Sequence, residues 1–242
     1  MPEVIINGPE GRIEARYHQS KEKGAPVAIV LHPHPQHGGT MNNKVAYNIY
    51  HAFARNGFSV ARFNFRGVGR SQGIYDEGIG ELADAATVLD WLQLNNTNAS
   101  TYWMGGFSFG SWVGMQLLMR RPEIEGFIAV SPPAGGYDFN FLSPCPAHGL
   151  IIQGDEDSIV NESDVSKLAD KLAKQKNAGI DYRVILGADH FFRTKMDDLN
   201  SHLDDYLQNR LKTDARKPKK VKPDRRRRQQ SPSGNNDTMP VL

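Results

Sequence analysis

Cysteine is almost missing from this chain of 242 residues, because Cys145 is the only one. A single cysteine excludes an intrachain disulfide and the Cys-pair type of zinc site, and it suits a reducing cytosol. No apolar run approaches the roughly 18 residues that a membrane-spanning helix needs. The N-terminus also lacks the basic stretch followed by an apolar stretch that marks a secretory signal. These absences predict a cytoplasmic protein with no membrane span.

Charge is unevenly distributed along the chain. Residues 213–242 contain nine Lys or Arg against three Asp, a net charge of +6, while residues 1–212 contain 20 basic and 24 acidic residues, a net charge of −4. The basic segment has almost no apolar residue to bury, so it is predicted to be a disordered tail. Residues 1–212, with ordinary soluble composition, are long enough to form one domain with a full core.

The basic tail suggests one class of partner. Clustered Lys and Arg would bind RNA, DNA or an anionic surface weakly and without sequence preference, through release of counterions. The tail contains no aromatic residue for base stacking, which argues against specific recognition. A solvated tail without a partner is the alternative. A non-catalytic scaffold that binds through this tail is therefore one hypothesis for the whole chain.

Short apolar runs alternate with helical runs from residue 4 to residue 211. The first two strand-like runs meet at a Gly-Pro-Glu-Gly turn, which predicts an antiparallel pair, and the later strand–helix alternation predicts a mostly parallel sheet with helices on both faces. The predicted strands are 4–7, 12–18, 25–31, 58–65, 102–108, 126–130, 148–153 and 181–186. The predicted helices are 43–56, 81–94, 112–120, 162–176 and 193–211.

The segment Gly106-Phe107-Ser108-Phe109-Gly110 joins a buried strand directly to a helix. A serine at the tip of such a turn has a strained backbone, and side chains two residues before and after it would collide, so both positions require glycine. The start of the following helix offers the Phe109 amide and a partial positive charge to an oxyanion. The pattern predicts that Ser108 is a nucleophile.

This G-x-S-x-G pattern resembles the nucleophile elbow of the α/β-hydrolase superfamily. With His32-Pro33-His34-Pro35 and the Arg-Gly-x-Gly-x-Ser loop at residues 66–71, it resembles a small cap-less bacterial subgroup, similar to dienelactone hydrolases and carboxylesterases and related to serine aminopeptidase-type hydrolases. The resemblance implies an α/β-hydrolase fold with an eight-stranded, mostly parallel sheet. Only 48 residues separate Ser108 from Asp157, which leaves no room for a cap domain.

In this superfamily the nucleophile is followed by an acid and then a histidine, each after a later strand. The resemblance of Gly-Asp-Glu-Asp-Ser-Ile-Val to the family's acid turn implies Asp157 as the acid, with Asp155 as the alternative. It also implies His190 as the general base. Taken singly, either aspartate could be a helix cap and His190 an ordinary loop histidine, but the order of the three residues at successive strand ends favours a catalytic role.

The second oxyanion donor is expected after the third strand. The resemblance of Leu31-His32-Pro33-His34-Pro35 to the family's Leu-His-Gly-x-Pro pattern implies the backbone N–H of His34, and the flanking prolines have no N–H to donate. Gln36 and the glycines that follow remain open, and the His-Gly-Gly at residues 37–39 ranks second because it lies farther from the strand.

Two segments, residues 32–37 and 67–69, could be interpreted as a metal site and a nucleotide site. His32, His34 and His37 lie within six residues, but no carboxylate or cysteine cluster accompanies them, so structural and oxyanion roles are favoured over metal binding. The Gly-x-Gly at residues 67–69 lacks the Lys-Ser/Thr of a phosphate loop, so nucleotide binding is not expected. No metal and no cofactor are predicted.

The predicted function is hydrolysis of a carboxylic ester in a small-molecule acyl substrate. Peptidase or thioesterase activity would use the same residues. Several aromatic residues surround the motif, and the candidates for lining a substrate pocket are Phe107, Trp112 and Phe191. The sequence predicts no particular oligomeric state.

Overall fold

The computed structural model of the chain describes residues 3–176 and 179–215. The described residues form eight strands, namely β1 (Glu3–Gly8), β2 (Gly11–His18), β3 (Val27–Leu31), β4 (Ser59–Phe63), β5 (Tyr102–Phe107), β6 (Ile124–Val130), β7 (His148–Gly154) and β8 (Ile180–Ile185). They also form five helices, namely α1 (Lys44–Arg55), α2 (Ile79–Asn95), α3 (Phe109–Arg120), α4 (Glu162–Ala173) and α5 (Met196–Ala215), and a 3-10 turn at Pro35–His37. Every predicted strand and helix is present.

The strands form one twisted sheet in the order β1-β2-β4-β3-β5-β6-β7-β8. β1 pairs with β2 and β2 with β4 in antiparallel fashion, and all other neighbours are parallel. The prediction of an antiparallel start followed by a parallel sheet is confirmed. The carboxyl ends of the parallel strands share one edge, so the loops that follow β3, β5, β7 and β8 meet there.

Two hydrophobic cores cover the two faces of the sheet. Alternate residues of each buried strand enter opposite cores, as Val27, Ile29 and Leu31 of β3 do against Ala28 and Val30. Helices α2, α3 and α4 contribute to the first core, and α1 and α5 contribute to the second. This double covering explains why the central strands are continuous apolar runs.

Helix boundaries follow local capping. The side chain of Asn43 accepts from the amides of Val45 and Ala46, so α1 begins one residue later than predicted. The side chain of Glu81 accepts from the amide of Gly78, so α2 begins before Glu81, at Ile79.

Helix α5 differs from its prediction at both ends. It begins at Met196 rather than residue 193, because residues 192–195 form a separate turn in which the Lys195 amide donates to the Phe192 carbonyl over 3.1 Å. It extends to Ala215, so the predicted boundary after residue 212 falls within the helix. The rest of the predicted basic tail, residues 216–242, lies outside the described residues.

Candidate active site

Ser108 lies between the last residue of β5 and the first residue of α3, with φ 51° and ψ −123°. A Cβ atom at Gly106 would lie 2.5 Å from the Cα of Ser111, and one at Gly110 would collide with the carbonyl oxygens of Leu31 and His32. Both glycines are therefore required because backbone atoms pack against them. The strained serine is half-buried, and its amide donates to the carbonyl of Val130 over 2.9 Å.

Three predicted residues from separate strand ends come together at this serine. Ser108 Oγ lies 3.2 Å from His190 Nε2, and His190 Nδ1 lies 2.7 Å from Asp157 Oδ2. Because a carboxylate only accepts, Nδ1 carries the proton and Nε2 of the neutral ring accepts from the serine hydroxyl. The geometry is that of a serine whose proton can be removed as it attacks a carbonyl.

The Asp157 carboxylate is fully buried and receives four N–H donors. Oδ1 accepts from the amides of Ile159 and Val160, each over 2.8 Å, and Oδ2 accepts from His190 and from Gln153 Nε2 over 2.9 Å. Burial acts to raise the pKa of Asp157, but the hydrogen bond from His190 and the two amides outweigh it, so the pKa lies below its ordinary value. Asp157 is therefore stabilised as an anion.

Asp155, the alternative acid, has a different partner. Its Oδ1 accepts from the amide of Gly187 over 2.6 Å, which links the loop after β7 to the loop after β8. Of the two aspartates, Asp157 contacts His190. Asp155 instead binds the backbone of the loop that carries this histidine.

Both predicted oxyanion donors border the same cavity as Ser108. Phe109 is the first residue of α3, and His34 immediately precedes the Pro35–His37 turn. Within residues 3–176 and 179–215, neither backbone amide donates a hydrogen bond to the protein. Two backbone N–H groups and a helix N-terminus beside Ser108 thus remain available to an anionic oxygen.

The imidazole of His34 is packed rather than free. Its Nδ1 accepts from the amide of Gln36 over 3.2 Å, and its Nε2 lies 3.2 Å from the hydroxyl of Tyr75. Burial, and then the charge of His37, lower the pKa of His34, so the neutral ring is favoured. Contacts at both ring nitrogens thus hold His34 where it borders the cavity.

His32 has a purely internal role. It is buried, with Nδ1 2.6 Å from the carbonyl of Pro33 and Nε2 accepting from the amide of Phe65 over 3.0 Å. Burial lowers its pKa to about 3 although the Pro33 bond acts in the opposite direction. Among the described residues, no three His, Cys, Asp or Glu side chains are grouped so as to hold a metal ion.

The cavity beside Ser108 has a volume of about 410 Å³. Its wall combines apolar and polar side chains from four loops, and the lining residues are His34, His37, Ser108, Phe109, Pro133, Gly135, Gly136, Tyr137, Ile159, Val160, Asn161 and Asp164. The segment after β6 thus contributes to the wall without forming a domain over it. Trp112 Nε1 donates to the carbonyl of Asp138 over 3.0 Å and ties this segment to α3.

In the part of the chain that the structure describes, none of the three predicted pocket residues lines this cavity. Phe107 is fully buried in the core shared with α1 and α5, with its ring 5.0 Å from that of His190. Phe191 packs edge-on against His190, and Trp112 packs against Tyr137 behind the cavity. These aromatic residues therefore pack against residues of the site rather than lining the cavity themselves.

Sequence reasoning missed Gln153, whose side chain donates to Asp157, to Val160 O over 2.9 Å and to Gly154 O over 3.3 Å. It also missed Tyr137 and Ile159 as cavity residues. A signal for Gln153 was available, because a fully buried amide at the end of the apolar strand β7 must find hydrogen-bond partners.

An eight-stranded sheet with helices on both faces, a serine on a strained strand–helix turn and no cap in the described chain define an α/β-hydrolase without a cap. The chain belongs to the X-Pro dipeptidyl-peptidase (S15) family, whose model matches residues 12–229.

Two solved structures of α/β-hydrolases and one curated protein are similar to this chain. A candidate α/β-hydrolase of unknown function from Agrobacterium tumefaciens is 55% identical, with a TM-score of 0.86 over 88% of this chain and 97% of that one. A Xanthomonas campestris α/β serine hydrolase without a lid is 32% identical, with a TM-score of 0.78 over 86% and 94%. An uncharacterised protein of Rickettsia prowazekii is 54% identical over 86% of this chain and 89% of its own length.

No helix in the described residues is both long and apolar enough to cross a membrane.

Proposed function

We propose that this hydrolase cleaves a carboxylic ester of a small substrate through a catalytic triad of Ser108, His190 and Asp157. The observation that carries the proposal is the continuous set of contacts from Asp157 through His190 to Ser108, at 2.7 Å and 3.2 Å, ending at an open cavity. A buried carboxylate, a histidine of defined tautomer and a strained serine are the parts that acyl transfer requires.

In the proposed reaction, His190 Nε2 takes the hydroxyl proton as Ser108 Oγ attacks the ester carbonyl. The amides of His34 and Phe109 donate to the oxyanion that forms, and Asp157 stabilises the imidazolium. His190 then protonates the leaving alcohol, and the acyl group stays on Ser108. A water molecule, deprotonated by His190, releases the acid and restores the serine. These steps need no metal and no cofactor.

The substrate class follows from the cavity. A volume of about 410 Å³ with apolar side chains from Pro133, Tyr137 and Ile159 suits a small or medium acyl group. Since no cap covers the cavity in the described chain, the remainder of the ester can extend into solvent.

The family match favours a second candidate, hydrolysis of a peptide bond. The same residues would serve, with His190 protonating an amine as the leaving group. Asp164, on the cavity wall, is a carboxylate that could bind the amino group of a short peptide. Esters are ranked first because the described chain has no cap over the cavity. Such a cap would limit how many residues of a peptide can lie between its N-terminus and the bond that is cleaved.

The test is labelling of the full chain by a fluorophosphonate probe, followed by turnover of p-nitrophenyl esters of increasing chain length and of amino acid and X-Pro p-nitroanilides. Wild type should label, and Ser108→Ala and His190→Ala should not. Turnover of esters but not of anilides would support the first candidate, and the reverse result would support the second. A folded wild type that neither labels nor turns over any of these substrates would refute both.

A further inference from the structure

The loop between β3 and α1, residues 32–43, carries His34 and is attached to one strand at both of its ends. At the near end, His32 Nε2 accepts from the amide of Phe65, two residues after β4. At the far end, the loop reaches the side chains of Arg62 and Asn64 at the end of the same strand. A single strand end therefore determines where both ends of this loop lie.

The far-end attachment binds both sides of one residue. Met41 donates its amide to Asn64 Oδ1 over 2.8 Å, and its carbonyl accepts from Arg62 Nη1 over 2.6 Å. The same Nη1 lies 2.6 Å from Asn42 Oδ1. We call Arg62 and Asn64 the β4 clamp. Two side chains at i and i+2 on a strand point to the same face, which is why both reach Met41.

The turn between Met41 and His34 is compact enough to transmit a displacement. The carbonyl of His34 accepts from the amides of His37 and Gly39, over 3.1 Å and 3.0 Å. A Cβ atom at Gly39 would collide with the carbonyl of Pro33, so the two halves of the loop are in direct contact. A shift of Met41 would therefore move the His34 backbone.

Arg62 is a buried cation without a carboxylate partner among the described residues. It is 7% exposed, its Nε is enclosed without a partner, and none of the described carboxylates forms an ion pair with it. Its guanidinium instead lies over the rings of Tyr47 and Tyr50, 5.0 Å and 5.3 Å from their centroids. Burying this charge without a counter-ion costs free energy, which offsets part of what its hydrogen bonds to Met41 and Asn42 contribute to stability.

Asn64 is itself held in place. Its Nδ2 donates to Glu14 Oε2 over 2.8 Å, and the same oxygen accepts from the amide of Arg70. The loop after β4 and the neighbouring strand β2 thus immobilise the clamp.

We infer that Arg62 is a positioning residue for catalysis, which with Asn64 fixes the β3–α1 loop so that the His34 amide faces the cavity at Ser108. This inference rests on the proposed function, because the His34 amide matters only if an oxyanion forms there. Oxyanion donors act over a narrow range of distance, so a displacement of about 1 Å costs on the order of a hundredfold in rate.

The experiment compares Arg62→Met with Arg16→Met in the full chain. Arg16 is the cross-strand neighbour of Arg62, but it pairs with Glu3 at 3.2 Å. We expect Arg62→Met to lower kcat for a p-nitrophenyl ester and the rate of fluorophosphonate labelling by about ten- to a hundredfold, with little change in KM or thermal stability. Arg62→Lys, which retains one donor for Met41, should recover part of the loss, and Arg16→Met should keep the wild-type kcat.

A second variant keeps the inference testable if Arg62→Met does not fold. Asn42 is exposed, and Asn42→Ala removes one acceptor of Arg62 without disturbing a core, so kcat should fall several-fold. If Arg62→Met folds and keeps the wild-type kcat, the positioning role is overturned and the proposed function is left intact. If Arg62→Met does not fold, a wild-type kcat in Asn42→Ala has the same meaning. The positioning role would also be overturned if kcat fell equally in Arg62→Met and Arg16→Met, in proportion to the thermal stability that each variant loses. A wild type without labelling or turnover would overturn both proposals.

Discussion

Gln153 donates its side-chain amide to Oδ2 of Asp157 over 2.9 Å, the same oxygen that receives the Nδ1 proton of His190. Because the amide also donates to the carbonyls of Val160 and Gly154, only the N–H side of Gln153 can face the carboxylate. The carboxylate orientation thus depends on a residue of the preceding strand as well as on its own loop.

Removal of this amide should slow turnover without weakening substrate binding. Gln153→Met keeps the volume but removes a donor to a buried anion, a change of about 1.5–3 kcal/mol. We expect kcat for an ester to fall by about tenfold or more with KM unchanged. Gln153→Glu, which places a second carboxylate against Asp157, should lose more. Steady-state kinetics of both variants beside wild type measure the effect, and wild-type kcat in Gln153→Met would contradict it.

The two aspartates of the turn after β7 should differ sharply in function. Asp157→Asn should lower kcat by about 10⁴-fold, because the asparagine no longer selects the histidine tautomer that accepts from serine. Asp155→Asn keeps an oxygen that can accept from the Gly187 amide and removes only the charge, so it should cost less than about tenfold. The two variants are matched controls in one kinetic assay. A larger loss in Asp155→Asn would reassign the acid.

Backbone strain at Ser108 should be measurable as stability. A non-glycine residue at φ 51° and ψ −123° carries about 1–3 kcal/mol of strain, which glycine at the same position relieves in part. We therefore expect Ser108→Gly to unfold at a higher temperature than Ser108→Ala, and both to be inactive. Differential scanning calorimetry of the two variants tests this. Ser108→Ala being the more stable of the pair would contradict the argument.

Acid should destabilise the protein through His32 well before it protonates Asp157. The folded pKa of His32 is about 3, against 6.5 for a free histidine, so below pH 6.5 the unfolded chain binds a proton that the folded chain does not. Stability should fall by about 2 kcal/mol from pH 7 to pH 5 on this account. The contribution of Asp157, whose folded pKa is below its ordinary value, is lost only at more acid pH. Urea unfolding of wild type and His32→Asn at both pH values measures the difference, and equal pH slopes would exclude His32 as the cause.

The basic C-terminal segment should bind polyanions in a strongly salt-dependent manner. Truncation after Ala215 keeps helix α5 complete and removes all nine Lys and Arg of the predicted tail. We propose that the full chain binds a fluorescent single-stranded oligonucleotide at low salt, with affinity that falls steeply as salt increases, and that the truncated chain does not. Equal binding by both chains in an anisotropy titration would remove this role from the tail, and ester turnover should be the same in both.

The sequence by itself determined the features whose causes are local. Continuous apolar runs marked the doubly covered strands. Gly106 marked the turn at Ser108, because the start of the next helix crowds it, whereas the carbonyl oxygens that crowd Gly110 belong to Leu31 and His32 of the neighbouring strand end. Chain order and family resemblance together pointed to Asp157 and His190, since parallel strands end at one edge of the sheet.

Only the tertiary structure decided which groups meet across long separations. Asp155 and Asp157 are two residues apart, and the path of the loop after β8 determines which of them contacts His190. The register of β5 turns Phe107 into the core behind His190 rather than into the cavity. Likewise, the clamp on Met41 joins residues 21 and 23 positions apart through side-chain hydrogen bonds. These relationships depend on strand order, register and side-chain direction, which are properties of the packed sheet rather than of any short segment.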